Sequence, residues 1–226
     1  MQIISNFVWE KNSRPINEDS LCICHVLFNG KPLVLAAICD GVGGMPDGES
    51  ASTILINQLK NTFYSLDRRH SPSFRYLSHL FNQCIYSCHE TISSGATTLC
   101  LALIYGNHSL IMSYGDSRCY IGTNKLSLVT KDHTDANGHL TQAIGSGQFN
   151  KPFKKIVSLS SGSKLLICSD GFYRHNHLFI THKNQFKECS TEEIIKNKLD
   201  NMYFNAVNHG EKDNCSAILI CLCKGE

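Results

Sequence analysis

Residues Leu33 to Gly44, LVLAAICDGVGG, constrain the fold more than any other stretch. Seven uninterrupted apolar residues stop at an acid, Asp40, and a glycine-rich turn follows. A short continuous apolar run reads as a buried strand, with Asp40 where the strand emerges. An unpartnered buried carboxylate costs on the order of several kcal/mol, so Asp40 needs a partner, and a cation is the obvious one. Three other acids share this setting. Asp116 follows the strand-like Leu110–Tyr114, Asp170 follows Lys164–Cys168, and Asp213 precedes Ala217–Cys223. Four acids at the ends of strand-like segments make a candidate set of metal ligands.

The rest of the chain supplies the frame for them. Gln2–Trp9 and Leu21–Phe28 read as strands, and Asn29-Gly30 is a hairpin signal that returns the chain into Pro32–Cys39. Ala51, Ile54, Leu55, Leu59, Phe63 and Leu66 recur at helical spacing. A second amphipathic helix carries Phe74, Leu77, Phe81, Cys84, Ile85, Cys88 and Ile92 on one face, after the loop DRRHSPS. From Gly95 the pattern changes to short strands at Thr97–Ile104, Ser109–Tyr114, Cys119–Gly122 and Leu126–Val129, an antiparallel meander. Asp132–Gly147 reads as a polar surface loop with one helical turn around Leu140–Ile144. Lys164–Cys168 is a further strand, and Ser190–Glu193 has the form of a capping box opening a helix with Ile194, Ile195, Leu199, Met202 and Ala206 inward. Ala217–Cys223 is the last strand. Strands and helices are segregated rather than alternating, so the fold class is α+β, with helices covering an antiparallel core. No repeat or linker divides the chain, and residues 1–226 are expected to form one domain.

Net charge is +2, which gives no reason to expect nucleic acid or a membrane surface as partner. No apolar stretch approaches the ~20 residues of a membrane helix. Twelve cysteines raise the question of disulfides, but most sit inside apolar strand-like runs, no CxxC pair exists and no signal peptide is evident. Reduced, buried thiols and a cytoplasmic location are expected. Two glycine motifs lead nowhere: Gly41-x-Gly43 is followed by Pro46 where a dinucleotide fingerprint needs glycine, and Gly145-Ser146-Gly147 lacks the full nucleophile-elbow form.

Seven pieces in order do form a recognisable set. They are RPINEDS (Arg14–Ser20), DGVGG (Asp40–Gly44), GATT (Gly95–Thr98), GDSR (Gly115–Arg118), LTQAIG (Leu140–Gly145), LLICSDG (Leu165–Gly171) and DNCS (Asp213–Ser216). In order and spacing, from Arg14 to Ile220, the chain resembles the metal-dependent serine/threonine protein phosphatases of the type 2C family, in their bacterial form. The resemblance implies a four-layer α-β-β-α sandwich of two antiparallel sheets flanked by helices, with two Mg²⁺ or Mn²⁺ ions at one end. Asp40 would bridge the ions, Gly41 would offer its backbone carbonyl, and Asp170 and Asp213 would complete the other ion's shell. Glu18 and Asp19 fall at the acidic pair that holds metal-bound water. Arg14 matches the arginine that clamps the substrate phosphate, and Asp116 with Asp170 matches the pair that holds a third ion in bacterial relatives. The implied partners are a phosphorylated protein substrate and an opposing serine/threonine kinase; a monomer is expected.

The chemistry is consistent with those roles. Carboxylate and carbonyl oxygens suit Mg²⁺ or Mn²⁺, and no histidine or cysteine is placed to favour zinc. Two such ions acidify a water that attacks phosphorus directly, and an arginine fork fits two phosphate oxygens as a lysine cannot. Each acid also has an ordinary reading: Asp40 or Asp170 capping a turn, Asp213 in turn chemistry before Asn214, Asp116 paired with Arg118, Arg14 paired with Glu18 or Asp19. Three departures from the family stand out. Val42 follows the DG where the family often has a histidine proposed to protonate the leaving alkoxide. The flap after GDSR is short, with six residues between Thr134 and Thr141, and Cys215-Ser216 replaces the usual threonine. Val42 and the short flap leave open a catalytically weak member of the fold serving as a binding or regulatory module, and metal-dependent hydrolysis of another phosphoester is a further alternative.

Overall fold

The computed structural model describes residues 2–67, 69, 71–147 and 149–223. Among them the chain runs β1 (Gln2–Glu10), β2 (Asp19–Phe28), β3 (Lys31–Asp40), α1 (Gly48–Tyr64), α2 (Phe74–Thr91), β4 (Leu99–Tyr105), β5 (His108–Tyr114), β6 (Arg118–Gly122), β7 (Leu126–Leu128), β8 (Phe153–Ser158), β9 (Lys164–Cys168), α3 (Asp170–Tyr173), α4 (His177–Thr181), α5 (Glu192–Asn208) and β10 (Cys215–Cys223). The strands form two five-stranded antiparallel sheets, ordered β1-β10-β9-β6-β7 and β2-β3-β4-β5-β8.

The uninterrupted apolar run of β3 follows from its place in the layers. Leu33, Leu35, Ala37 and Cys39 face α1 and α2, while Val34, Ala36 and Ile38 face Leu165, Ile167, Ile218 and Ile220 of the other sheet. Both faces are buried, so no polar residue alternates in. On α1, Ala51, Leu55, Leu59 and Phe63 recur every fourth residue and are fully buried against that sheet. Ile195, Leu199 and Met202 of α5 cover the opposite sheet together with Phe172 of α3 and Ile180 of α4. A buried leucine or isoleucine contributes roughly 1.5–3 kcal/mol, and three such layers give the α-β-β-α sandwich its core. All twelve cysteines are free thiols; all but the half-buried Cys84 and Cys223 are buried.

Several local expectations need correction. Leu140–Ile144 is not a helical turn: Leu140 bridges Thr134 and Ile144 bridges Thr97, so backbone pairing replaces the turn. The cap of α5 is Thr191, whose hydroxyl accepts from the Ile194 amide at 3.2 Å, one residue later than the capping box placed it. With that shift Ile194 turns outward, and Ile54 of α1 is likewise exposed. β4 starts at Leu99, because Thr97 is an isolated bridge to Gly41 and Ile144. Positions 68 and 70 of the loop between α1 and α2 lie outside the described residues. β8, α3 and α4 had no counterpart in the sequence reading.

Candidate active site

Each sequence-singled acid sits at an element boundary, and the sandwich brings these boundaries together. Asp40 is the last residue of β3, and Asp19, the first of β2, lies directly opposite it in register. Asp116 follows β5 after Gly115, Asp170 opens α3 just after β9, and Asp213 stands two residues before β10. Arg14, Glu18, Asp40, Gly41, Asp116, Asp170 and Asp213 line one cavity of ≈ 390 Å³, together with Val42, Thr98 and the flap residues Gly138–Leu140. Asp19 lies beneath that lining, 1% exposed. A larger hollow of ≈ 770 Å³ beside α2 is lined by histidine, amide, aromatic and lysine side chains and carries no acid.

The glycine and threonine motifs hold the backbone for these acids. The Thr97 hydroxyl donates to the Asp40 carbonyl at 3.0 Å, the Thr98 amide does so at 2.8 Å, and the Asp40 amide donates to Thr98 Oγ1 at 3.1 Å. A Cβ at Gly171 would stand 2.2 Å from the Asn214 carbonyl oxygen, so the chain beside Asp170 can approach the Asp213 loop only as glycine. Asn214 in turn ties that loop to the Arg14–Glu18 segment. Its Nδ2 donates to the carbonyls of Lys11 and Ile16 at 2.9 and 3.0 Å, and its Oδ1 accepts from the Glu18 amide at 2.9 Å.

Gathering carboxylates in one place out of water has a visible electrostatic consequence. Burial, with the charge of Asp19 and the other acids added, pushes Asp40 well above the usual carboxylate range. Burial raises Asp19 to about 7 and Asp170 to about 6, and raises Asp116 and Glu18 as well. Neither Asp19 oxygen has a well-formed hydrogen bond; the hydroxyls of Ser216 and Ser169 are near enough only to ease its charge. Two arginines answer part of the negative charge. Arg14 Nε donates to Asp213 Oδ1 at 3.0 Å, and Arg174 pairs with Asp170. Arg14 therefore pairs with neither Glu18 nor Asp19, and among the described residues its terminal nitrogens make no hydrogen bond. The pairing of Asp116 with Arg118 is also absent, since Arg118 turns to Asp132 at 2.7 Å. The turn chemistry of Asp213 does occur: its Oδ1 accepts from the Asn214 amide at 3.0 Å.

Sequence reasoning missed three residues that position the acids: Glu211, Arg174 and Trp9. Glu211, nearly buried, accepts from the Lys212 and Asp213 amides at 2.9 and 3.0 Å and from Arg174 at 3.0 and 3.1 Å. It thus fixes both the Asp213 loop and the arginine that holds Asp170. Trp9 donates its indole N–H to the Asp19 carbonyl at 2.8 Å. The only signals were the chain's single tryptophan and an acid two places before Asp213, and neither reveals a partner far away in sequence.

Among the described residues no three acidic, histidine or cysteine side chains form a ready-made ligand cage; Arg14 and Arg174 draw Asp213 and Asp170 to themselves instead. The donor set nevertheless fits a hard divalent cation. Five carboxylates face the cavity, burial disfavours the ionised state of Asp40, Asp170, Asp116 and Glu18, and a cation relieves that penalty. A stability prediction follows. Between the ordinary value of 3.8 and about 7 for Asp19, the folded chain binds more protons than the unfolded one, so stability falls as pH rises through that window. Metal-free protein is expected to melt lower at pH 7 than at pH 5, with the difference reduced in Asp19→Asn and by added Mn²⁺. Calorimetric melting at both pH values checks this, and an unchanged pH difference in Asp19→Asn would contradict it.

Comparisons with known proteins agree with the fold and motifs. A candidate protein phosphatase of Mycoplasma genitalium is 23% identical, with 93% of this chain and 92% of that protein covered. The crystal structure of the serine/threonine phosphatase of Staphylococcus aureus superposes with a TM-score of 0.83 at 22% identity, covering 100% of this chain and 96% of the other. The serine/threonine phosphatase of S. agalactiae gives a TM-score of 0.82 at 19% identity, over 98% and 100%. The model of the protein phosphatase 2C family matches residues 13–205, and with the order of its motifs and its two-sheet sandwich the chain belongs to that family.

Proposed function

We propose that the chain hydrolyses phosphoserine and phosphothreonine in protein substrates at the acid-lined cavity. The observation that carries this reading is the convergence of five carboxylates and Arg14 on one small cavity. Asp40, the Gly41 carbonyl, Asp170 and Asp213 would hold two Mg²⁺ or Mn²⁺ ions, and Asp116 with Asp170 a third. When bound, such ions supply Lewis-acid stabilisation of the phosphoryl oxygens and a water acidic enough to react near neutrality. Glu18 and Asp19 orient water by accepting its hydrogens. Arg14, already at the cavity wall, turns its terminal nitrogens to two phosphate oxygens, a charge-assisted fork. Gly138, His139 and Leu140 of the flap line one side of the cavity.

The partners in this reading are a phosphorylated protein and the serine/threonine kinase that opposes it, with the phosphatase acting as a monomer. The free, mostly buried thiols accord with a reducing cytoplasm. Among the described residues no helix is long and apolar enough to cross a membrane. The test is turnover of p-nitrophenyl phosphate and of a phosphothreonine peptide with Mn²⁺, with and without EDTA. Turnover that needs Mn²⁺ and stops with EDTA is expected. Metal-independent turnover would refute the reading, and absence of turnover on both substrates would favour a binding module.

A further inference from the structure

We propose that His139, on the short flap, donates the proton that the leaving serine or threonine oxygen requires. This rests on the phosphatase reading above. Breaking a P–O bond to an alkyl group releases a strongly basic alkoxide, and protonating it in the transition state is a large part of the work. The position after the DG that could have carried an imidazole is Val42, which lines the same cavity. The other ionisable groups of the lining are poorly suited. Arg14 gives up a proton only far above neutrality, Asp40, Asp116, Asp170 and Asp213 are the groups that would hold cations, and Glu18 is the one that would orient water. His139 is the remaining ionisable side chain in the lining, and imidazole is the ordinary side chain that exchanges protons near neutral pH.

The flap fixes the backbone at His139, while the ring itself is 79% exposed at the rim of the cavity. Thr134 bridges Leu140, the Asp135 amide donates to the His139 carbonyl at 2.9 Å, and Gly138, at φ 84°, closes the tight turn with its amide on the Asp135 carbonyl at 3.1 Å. Asp135 Oδ1 accepts from the amides of Asn137 and His139 at 2.8 and 2.9 Å. Its Oδ2 stands 3.4 Å from His139 Nδ1. With the carboxylate on the Nδ1 side, Nε2 is the nitrogen left for the substrate, as with an acid behind a histidine in other proton-transfer sites. Six residues between Thr134 and Thr141 are enough for this: the short flap brings His139 into the cavity lining, with Asp135 beside it.

In the step itself the P–Oγ bond breaks and its electron pair goes to Oγ. The proton on His139 Nε2 moves to Oγ, leaving a neutral imidazole and the free hydroxyl of the product. The attacking water contributes its oxygen to phosphorus, and the proton it releases restores the imidazolium through solvent. The products are the alcohol and hydrogen phosphate.

Leaving-group dependence tests this on the Mn²⁺-loaded full chain. In His139→Gln, kcat on a phosphoserine peptide should fall about 100-fold. The loss on p-nitrophenyl phosphate should be at least roughly tenfold smaller, because p-nitrophenolate departs without protonation. Added imidazole should restore peptide turnover in His139→Ala, which loss of a merely structural contact would not allow. Equal losses on the two substrates, or no loss on either, would overturn the proposal while leaving the phosphatase reading intact. A wild-type chain that hydrolyses neither substrate would instead overturn that reading, and this inference with it.

Discussion

Asp40→Asn is expected to lower turnover by about 10³-fold or more while the sandwich stays folded. Asp40 ends strand β3 inside the cavity, and burial with the neighbouring acids opposes its charge. Removing a charged ligand forfeits several kcal/mol of stabilisation of phosphoryl charge, and each ~1.4 kcal/mol is a factor of ten. Asparagine keeps the shape of the side chain and removes one of two carboxylates facing each other across β2 and β3, so the metal-free variant should melt no lower than the parent. Asp170→Asn and Asp213→Asn should follow the same pattern. Steady-state kinetics and thermal melting check it; turnover within tenfold of wild type in all three would mean that the cation site lies elsewhere.

Arg14→Ala should lower kcat/KM by about 30–150-fold, the loss of a bidentate charge-assisted contact of roughly 2–3 kcal/mol. The two readings of Arg14 differ in what happens to metal. As a clamp on the phosphate, Arg14 competes with cations for Asp213, to which its Nε already donates, so its removal should leave Mn²⁺ affinity unchanged or slightly improved. As a brace for the acids, its removal would weaken Mn²⁺ binding together with activity. Arg14→Lys keeps the charge but not the fork, and should recover only part of the loss. A large fall in Mn²⁺ affinity in Arg14→Ala would contradict the clamp.

The acids were legible because burial on both faces turns β3, β9 and β10 into apolar runs, against which a terminal Asp40, Asp170 or Asp213 is conspicuous. The helix faces of α1, α2 and α5 were legible for the same reason, through their spacing. β8 was not: FKKIVS neither alternates nor runs apolar, because this edge strand shows most of its side chains, lysines included, to solvent. The turn around Leu140–Ile144 was misread because its apolar pair is fixed by bridges to Thr134 and Thr97 rather than by a helical period. The supports of the site were the least legible. Glu211 meets Arg174 across 37 residues, Trp9 meets the Asp19 carbonyl across a strand boundary, and Asn214 reaches Lys11 across 203 residues. The first and last are set by the pairing of β9, β10 and β1 in one sheet and the second by the stacking of the two sheets, and nothing in the local sequence around either partner encodes them.

The central claim is that the acids at these strand ends form a divalent-cation site that works on phosphate. Calorimetric titration of Mn²⁺ into the intact chain, alongside Asp40→Asn, tests it most directly. Two saturable sites per chain are expected in the parent, with affinity reduced at least about tenfold in Asp40→Asn. Absence of saturable Mn²⁺ binding by the intact chain, or equal binding by the two proteins, would contradict it.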